Sequence, residues 1–446
     1  MFSCFKRSFI KEFYLRKAKK WIVSLLYYIN ILIPKDKKTI LAFVDFEVID
    51  NKYIPYKNDN VYLLCNYIEN HRSDIKIIYV PSNQFGGKSG SLLSKKKKFN
   101  FFIKRLTSKV IIYKQPPHLS EYFTKEQHLV CLGYFLFPFK ADYLELEKWW
   151  EFYSKILGEN FILESCKDYG DKVLKHYTYT NSQFDKTNLT YITASNNASK
   201  TIARSHNIPL NSFQVLGSPK SEMLETTTEI SWSSLYGLKI KPNKVVLYTP
   251  TFRDKYLGKS VKDISANELN IFGYSDEKDL LEDLLVESNM IIVIKLHKSF
   301  PFYRELEKLY MKEDKSYFKN CYFLDFELEA KYDLSIHNLF ELSDAMIADY
   351  SSISFDYLPY DKPIIYNVPD IEEYRGYRGF SYEPVEDLIA GEDVRTVNEF
   401  KEALENIVKN KDEYVEKRKK LQSFLNEVPE GKALENIYGY IEEIIN

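Results

Sequence analysis

From residue 39 onward the chain alternates short apolar runs with amphipathic segments, and nothing else in it constrains the fold as strongly. A first series of runs is Thr39–Asp45, Ile75–Val80, Lys109–Tyr113, Leu129–Leu132, Tyr191–Ala194 and Phe213–Leu216. A second is Lys244–Thr251, Met290–His297, Tyr322–Asp325, Ala345–Asp349 and Pro363–Val368. Short apolar runs of this kind predict strands buried on both faces. Between many of them lies helical periodicity, as in Leu280–Glu287 and Val397–Lys409. Strands alternating with helices predict parallel sheets with crossover helices, an α/β fold. The Ser/Thr-rich stretch Thr226–Lys241 separates the two series. The expected organisation is a basic amphipathic helical segment at 1–38, a Rossmann-like doubly wound domain at 39–225, a linker at 226–241 and a second Rossmann-like domain at 242–446 that ends in a helix. In such a pair, ligands lie in the cleft at the carboxyl ends of the strands.

Composition narrows the function classes. The 446 residues carry 62 basic and 63 acidic side chains, so no global charge calls for nucleic acid. An apolar share of 45% argues against disorder and against a bundle of membrane spans. Cys4, Cys65, Cys131, Cys166 and Cys321 are scattered and form no C-x-x-C pair. That argues against a disulfide framework or structural zinc and fits a reducing compartment.

The charge bias is local. Residues 1–40 carry a net charge of +8. The run Lys6, Arg7, Lys11, Arg16, Lys17, Lys19 and Lys20 precedes the apolar stretch Trp21–Ile33. As a helix, that stretch covers only about 20 Å, short of the roughly 30 Å of a bilayer core. Pro34-Lys35-Asp36-Lys37-Lys38 stands where a signal peptide would carry small residues. The expectation is a helix lying on an anionic membrane at its cytoplasmic face, against the alternative of a basic helix packed on the protein itself. A second basic stretch, Lys95–Lys98 with Lys104, Arg105 and Lys109, is interleaved with Phe99, Phe101 and Phe102. It reads equally as a lipid-facing patch or a solvated lysine run.

Four motifs fall at strand ends. In Ala348-Asp349-Tyr350-Ser351-Ser352, a strand ends at Asp349 and a helix starts near Ser352, so two hydroxyls stand beside free backbone N–H groups. That arrangement suits a phosphate, although Ser352 alone would serve equally as an N-cap. Asp356 follows one turn later and can accept from ligand hydroxyls. Lys295 and His297 project to one side of their strand, where they would hold a diphosphate, or else be a surface lysine and a satisfied histidine. Thr251 and Arg253 lie in the loop Thr249-Pro250-Thr251-Phe252-Arg253-Asp254. Arg253 can fork onto a phosphate or pair with a carboxylate. Gly217-Ser218-Pro219-Lys220 by itself is a turn.

Taken in order, these pieces resemble the CDP-glycerol glycerophosphotransferases, which prime and polymerise teichoic acids and related capsule polymers. That family carries G-x-P-R, Y-x-P-T-W-R-D, (R/K)-x-H-P, T-D-Y-S-S-x-x-F-D-Y, D-K-P-I-I and E-Y-R-x-x-R-G-F. The chain has Gly217-Ser-Pro219-Lys220, Tyr248-Thr-Pro250-Thr251-Phe252-Arg253-Asp254, Lys295-Leu-His297-Lys298 and Ala348-Asp349-Tyr350-Ser351-Ser352 through Asp356-Tyr357. Asp361-Lys362-Pro363-Ile-Ile365 and Glu373-Tyr374-Arg375-Gly-Tyr-Arg378-Gly379-Phe380 complete the order. In the first half only Asn58-Asp59-Asn60, with its following helix and strand, is similar.

The resemblance implies a GT-B-like pair of domains and a CDP-activated polyol donor held by the second. It implies transfer of the polyol phosphate to a hydroxyl of a lipid-linked polymer, release of CMP, and peripheral membrane attachment. His297 would bind the β-phosphate or assist departure of CMP. Ser351 and Ser352 would hold the diphosphate, Asp356 a hydroxyl, and Thr251, Arg253, Lys295, Gly217 and Lys220 would line the same cleft. No metal site is expected, and a need for Mg²⁺ stays open. One departure is marked. Aligning Pro138-Phe139-Lys140 on the family's W-H-G-x-P-L-K places Phe135 at the histidine expected to be the general base. A lost base typically costs about 10²–10⁴ in rate. Either Asp142, His128 or Asp45 would serve instead, with Asp142 preferred, or the acceptor would be a phosphate or carboxylate already ionised. Two alternatives follow: a nucleotide-sugar glycosyltransferase of the same fold in capsule or wall synthesis, or a catalytically impaired donor-binding subunit.

Overall fold

The computed structural model describes residues 25–44, 46–49, 52–55, 59–81, 95–114, 123–133, 188–206, 208–222, 230–251, 271–274, 277–296, 316–332, 334–377 and 379–446. The first series of apolar runs forms strands β1 (Asp36–Val44), β4 (Lys76–Pro81), β5 (Ser108–Tyr113), β6 (His128–Cys131), β7 (Asn188–Thr193) and β8 (Phe213–Val215). They pair in parallel in the order β4-β1-β5-β6-β7-β8. A short antiparallel hairpin, β2 (Phe46–Ile49) and β3 (Lys52–Pro55), follows β1.

The second series forms β9 (Lys244–Tyr248), β10 (Met290–Ile294), β12 (Cys321–Phe323), β13 (Ala345–Ala348) and β14 (Ile364–Asn367), joined by β11 (Ser316–Phe318) and β15 (Glu392–Val394). Their order is β11-β12-β10-β9-β13-β14-β15, parallel apart from β11. All eleven expected strands are present. The hairpin, β11 and β15 were not expected, because strands of three or four residues with polar members carry no apolar signal.

Setting β11 aside, the second sheet runs third, second, first, fourth, fifth, sixth in chain order, the Rossmann order. The first sheet has the other doubly wound order, its second strand beside the first and its third on the far side. Both orders reverse direction at one point, and a crevice opens there at the carboxyl ends. In the second sheet that point lies between the neighbours β9 and β13.

The chain does not end where it is counted. The terminal helix Ala433–Ile445 lays Ile437, Ile441 and Ile445 on the first sheet, against Ile40, Val110 and Val130. Further links tie the halves together. The Glu427 N–H donates to the Ala194 carbonyl at 2.8 Å, and Arg204 donates to the Ser381 carbonyl at 3.0 Å.

The helix that ends at residue 31 packs Leu26 and Tyr27 beside Phe101 and Phe102 of the helix Lys95–Thr107, on one face of the first sheet. Asn30 fixes it by donating to Gln127 Oε1 at 2.8 Å. On the outer side Tyr28, Leu32 and Phe99 are 67%, 82% and 66% exposed. Arg105, by contrast, is buried with its guanidinium 4.8 Å over the Phe43 ring, so it adds nothing to the surface charge. The run Lys6–Lys20 lies outside the described residues.

Candidate active site

The site grows from the crevice between β9 and β13. Asp349, fully buried just past β13, accepts hydrogen bonds from both the backbone N–H (2.7 Å) and the hydroxyl of Thr251, just past β9. One carboxylate therefore clamps together the two loops that leave the crevice. Tyr350 turns the other way. Its ring stacks on Tyr374 at 4.0 Å, and its hydroxyl donates to Asp370 at 2.9 Å. With both neighbours anchored, Ser351 and Ser352 are set at the mouth of the crevice, both half-buried.

The helix Ile353–Tyr357 follows. Ser352 occupies its N-cap position, but its side chain makes no capping bond; its backbone is helical rather than extended. Its hydroxyl is not committed to the helix end, which was the competing reading of that serine. Ser351 receives the Ser354 hydroxyl on its carbonyl at 2.9 Å.

Asp356, one turn on, faces a cleft shared with Lys220, Ser221, His337 and Asn426. Burial pushes the Asp356 carboxyl up to about 6, while the positive charge of Lys220 pulls the other way. Lys220 comes from the turn after β8. There Asn60 Oδ1 accepts from the Lys220 N–H at 3.0 Å, and the neighbouring Asp59 caps its own helix through the Val61 N–H. Asn60 thus holds the Lys220 turn in place.

His337 carries no motif in the sequence and was missed. Only 2% of it is exposed, and its Nδ1 meets the Tyr360 hydroxyl at 3.0 Å. Burial, with Lys220 nearby, lowers its pKa to about 4, so the ring is neutral.

Other expected residues fall elsewhere. Lys295 follows β10 and its ammonium meets Glu329 Oε1 at 2.6 Å. Gly217 lies against the terminal helix. His128 opens β6, at the amino end of the strand, opposite the end at which ligands gather. Arg253, His297, Asp142, Asp45 and Phe135 lie outside the described residues. Two further motifs are braces. Lys362 donates to the carbonyls of Phe340, Glu341 and Ser343 at 2.6–2.9 Å, closing the end of the helix that carries His337. Arg375 binds Glu372, Glu383 and Glu386. Among the described residues no cluster suits a metal ion, and Cys65, Cys131 and Cys321 are free and buried.

The chain is similar in sequence and in fold to known proteins. A family model described as CDP-Glycerol:Poly(glycerophosphate) glycerophosphotransferase matches residues 165–443. The teichoic acid ribitol-phosphate polymerase TarL of Staphylococcus aureus (strain NCTC 8325 / PS 47) is 29% identical over 167 residues, 37% of this chain and 26% of that protein. The teichoic acid glycerol-phosphate primase of Bacillus spizizenii (strain ATCC 23059 / NRRL B-14472 / W23) is 31% identical over 137 residues, 30% and 28% of the two chains. The match therefore spans little more than a quarter of each of these relatives. The solved structure of the wall teichoic acid polymerase TagF superposes with a TM-score of 0.62 at 17% identity, covering 98% of this chain and 96% of that one. That is a likeness of fold over nearly the whole chain. With the family model matching well over half of its residues, this chain belongs to the CDP-glycerol:poly(glycerophosphate) glycerophosphotransferase family.

Proposed function

We propose that the protein transfers a polyol phosphate, glycerol or ribitol phosphate, from a CDP-activated donor to a hydroxyl of a lipid-linked cell-surface polymer, releasing CMP. The observation that carries this reading is the crevice itself. Two uncommitted serine hydroxyls stand at the switch point of a Rossmann-ordered sheet, with a carboxylate one turn on and a lysine opposite. Ser351 and Ser352 would hold the diphosphate. Asp356 would accept from a hydroxyl of the donor, and Lys220 would line the same cleft. His297 and Arg253 would complete the donor site, and Asp142 would take the acceptor proton. Catalysis would come mainly from positioning and charge neutralisation at an in-line displacement on phosphorus. The curated relatives are polymerases and primases, which favours an enzyme over an assembly subunit.

The test is nucleotide release from CDP-glycerol, CDP-ribitol and UDP-sugars in the presence of a lipid-linked acceptor. CMP release from one CDP-polyol, falling by about 10²-fold or more in His297→Ala, is the expected result. UMP or UDP release would move the protein to the glycosyltransferase reading. A second expectation concerns pH. Asp356 is acceptor-only and charged when ionised, and protonation turns one of its oxygens into a donor, so donor affinity is expected to fall as pH drops through about 6. The loss should reach roughly tenfold one unit below that value and flatten in Asp356→Asn.

We also infer that the exposed Tyr28, Leu32 and Phe99 meet an anionic membrane, together with the basic stretches that flank them in the sequence. No helix among the described residues is long and apolar enough to cross a membrane. Co-sedimentation with phosphatidylglycerol vesicles is expected to fall several-fold in the double variant Leu32→Glu, Phe99→Glu. Unchanged sedimentation would remove this surface from the reading.

A further inference from the structure

The cleft between the Lys220 turn and the helix Ile353–Tyr357 holds a polar atom that the fold leaves without a partner. His337 is buried and lines this cleft, and its Nδ1 is taken by Tyr360. Its other ring nitrogen, Nε2, is buried and makes no hydrogen bond. Buried polar groups are paired in all but a few cases, and an unpaired one calls for an explanation. The ring and its helix are firmly placed, with Tyr360 on Nδ1 and both helix ends closed. Ser335 and Asn338 form a reciprocal capping box at the start of its helix, and Lys362 closes the far end. Phe340 meets the ring edge-on at 5.8 Å. A side chain locked this firmly with one nitrogen unused is preorganised for something that enters the cleft.

The surroundings state what that is. Lys220 and Asp356 bring one positive and one negative charge, and the imidazole brings none. Phe355, Leu358 and Leu425 supply apolar wall. A cleft with offsetting charges and mixed donors and acceptors does not select an anion. It suits neighbouring hydroxyls on a short carbon chain or ring, since a hydroxyl donates and accepts at once. One hydroxyl can donate to Asp356 while accepting from Lys220, and the next can meet His337 Nε2 in either tautomer.

We propose that His337 is a specificity-determining residue that hydrogen-bonds one hydroxyl of a vicinal diol on the donor, in the cleft it shares with Lys220 and Asp356. The inference rests on the donor reading above and deepens it. Two parts of a CDP-polyol carry such a diol, the ribose and the polyol, and binding measurements separate them.

Calorimetric affinities would be measured for CDP-glycerol, CDP, CMP and 2′-deoxy-CMP on the full chain, with His337→Phe and His337→Gln beside wild type. If the diol is the polyol's, His337→Phe weakens CDP-glycerol about tenfold and leaves CDP unchanged. If it is the ribose's, wild type prefers CMP over 2′-deoxy-CMP by about that factor, and His337→Phe abolishes the preference. Either result supports the proposal. His337→Gln keeps a hydrogen-bonding group and is expected to stay within about threefold of wild type, which a purely structural role would not require. Because His337→Phe can disturb packing, Tyr360→Phe serves as a second variant. It leaves His337 in place but frees the ring to turn, and it should erode the same discrimination. Equal affinities for all four nucleotides across wild type and variants would overturn the inference and leave the donor reading standing. Failure of wild type to bind any of the four would overturn both.

Discussion

Gly217→Ala is expected to loosen the terminal helix from the first sheet and to destabilise the protein by about 3–5 kcal/mol. Two independent effects add at this residue. Its backbone is left-handed, with φ +102°, a conformation that only glycine adopts without cost. A Cβ built there would also stand 2.5 Å from Ala433 Cβ and 3.0 Å from Ala433 Cα. Neither obstacle is the free end of a flexible side chain, so the helix Ala433–Ile445 has to retreat as a unit. That retreat would part Ile437, Ile441 and Ile445 from the sheet. The measurement is hydrogen exchange across residues 433–445 together with urea unfolding. Protection should be lost there first. Adding Ala433→Gly removes the 2.5 Å contact but neither the approach to the Cα nor the backbone strain, so it should restore part of the loss and not all of it. An unchanged unfolding curve would mean that the glycine serves ligand approach alone.

Asp349→Ala is expected to lower nucleotide release by at least about tenfold and to cost about 2–4 kcal/mol of stability. The substitution strands the buried Thr251 N–H and hydroxyl, both of which now donate to this carboxylate. More importantly, it unclamps the loop after β9 from the loop that presents Ser351 and Ser352. Asp349 is a positioning residue, so its loss should raise KM for the CDP-polyol as well as lower kcat. Asp349→Asn keeps one acceptor oxygen but turns an NH₂ toward the other donor, and it should fall between wild type and alanine. Thr251→Val retains the backbone bond and should be the mildest of the three. If Asp349→Ala changed stability without touching KM, the clamp would be structural only.

These two residues also show where the sequence is legible. Asp349 stands inside the most specific motif, yet its motif neighbours Ser351 and Ser352 drew the functional reading. Nothing local reveals that its partner is Thr251, 98 positions earlier. Gly217 was expected to line the donor cleft, and the structure sets it against Ala433 of the terminal helix. Lys295 was read as a cation for a diphosphate, and Glu329 stands beside its ammonium. In each case the residue type and the strand end were readable. The partner was not, because partners are brought in by crossover helices and strand order.

What the amino-acid order determined by itself is the eleven apolar strands and the family. Apolar runs of four to eight residues must be buried on both faces, so they announce parallel sheets wherever they fall. The family's six motifs hold particular residue types at fixed spacing, some of them as braces, and so survive in order as a readable signature. The tertiary structure alone decided the rest. It set the order of strands that puts the crevice between β9 and β13, returned the last helix to the first sheet, and chose the partners of Lys295 and Asp349. It also closed the cleft that leaves one nitrogen of His337 without a partner. The physical reason is range. Burial and turn geometry are properties of a few consecutive residues, whereas an ion pair, a clamp or an unpaired atom exists only between segments that folding has brought together.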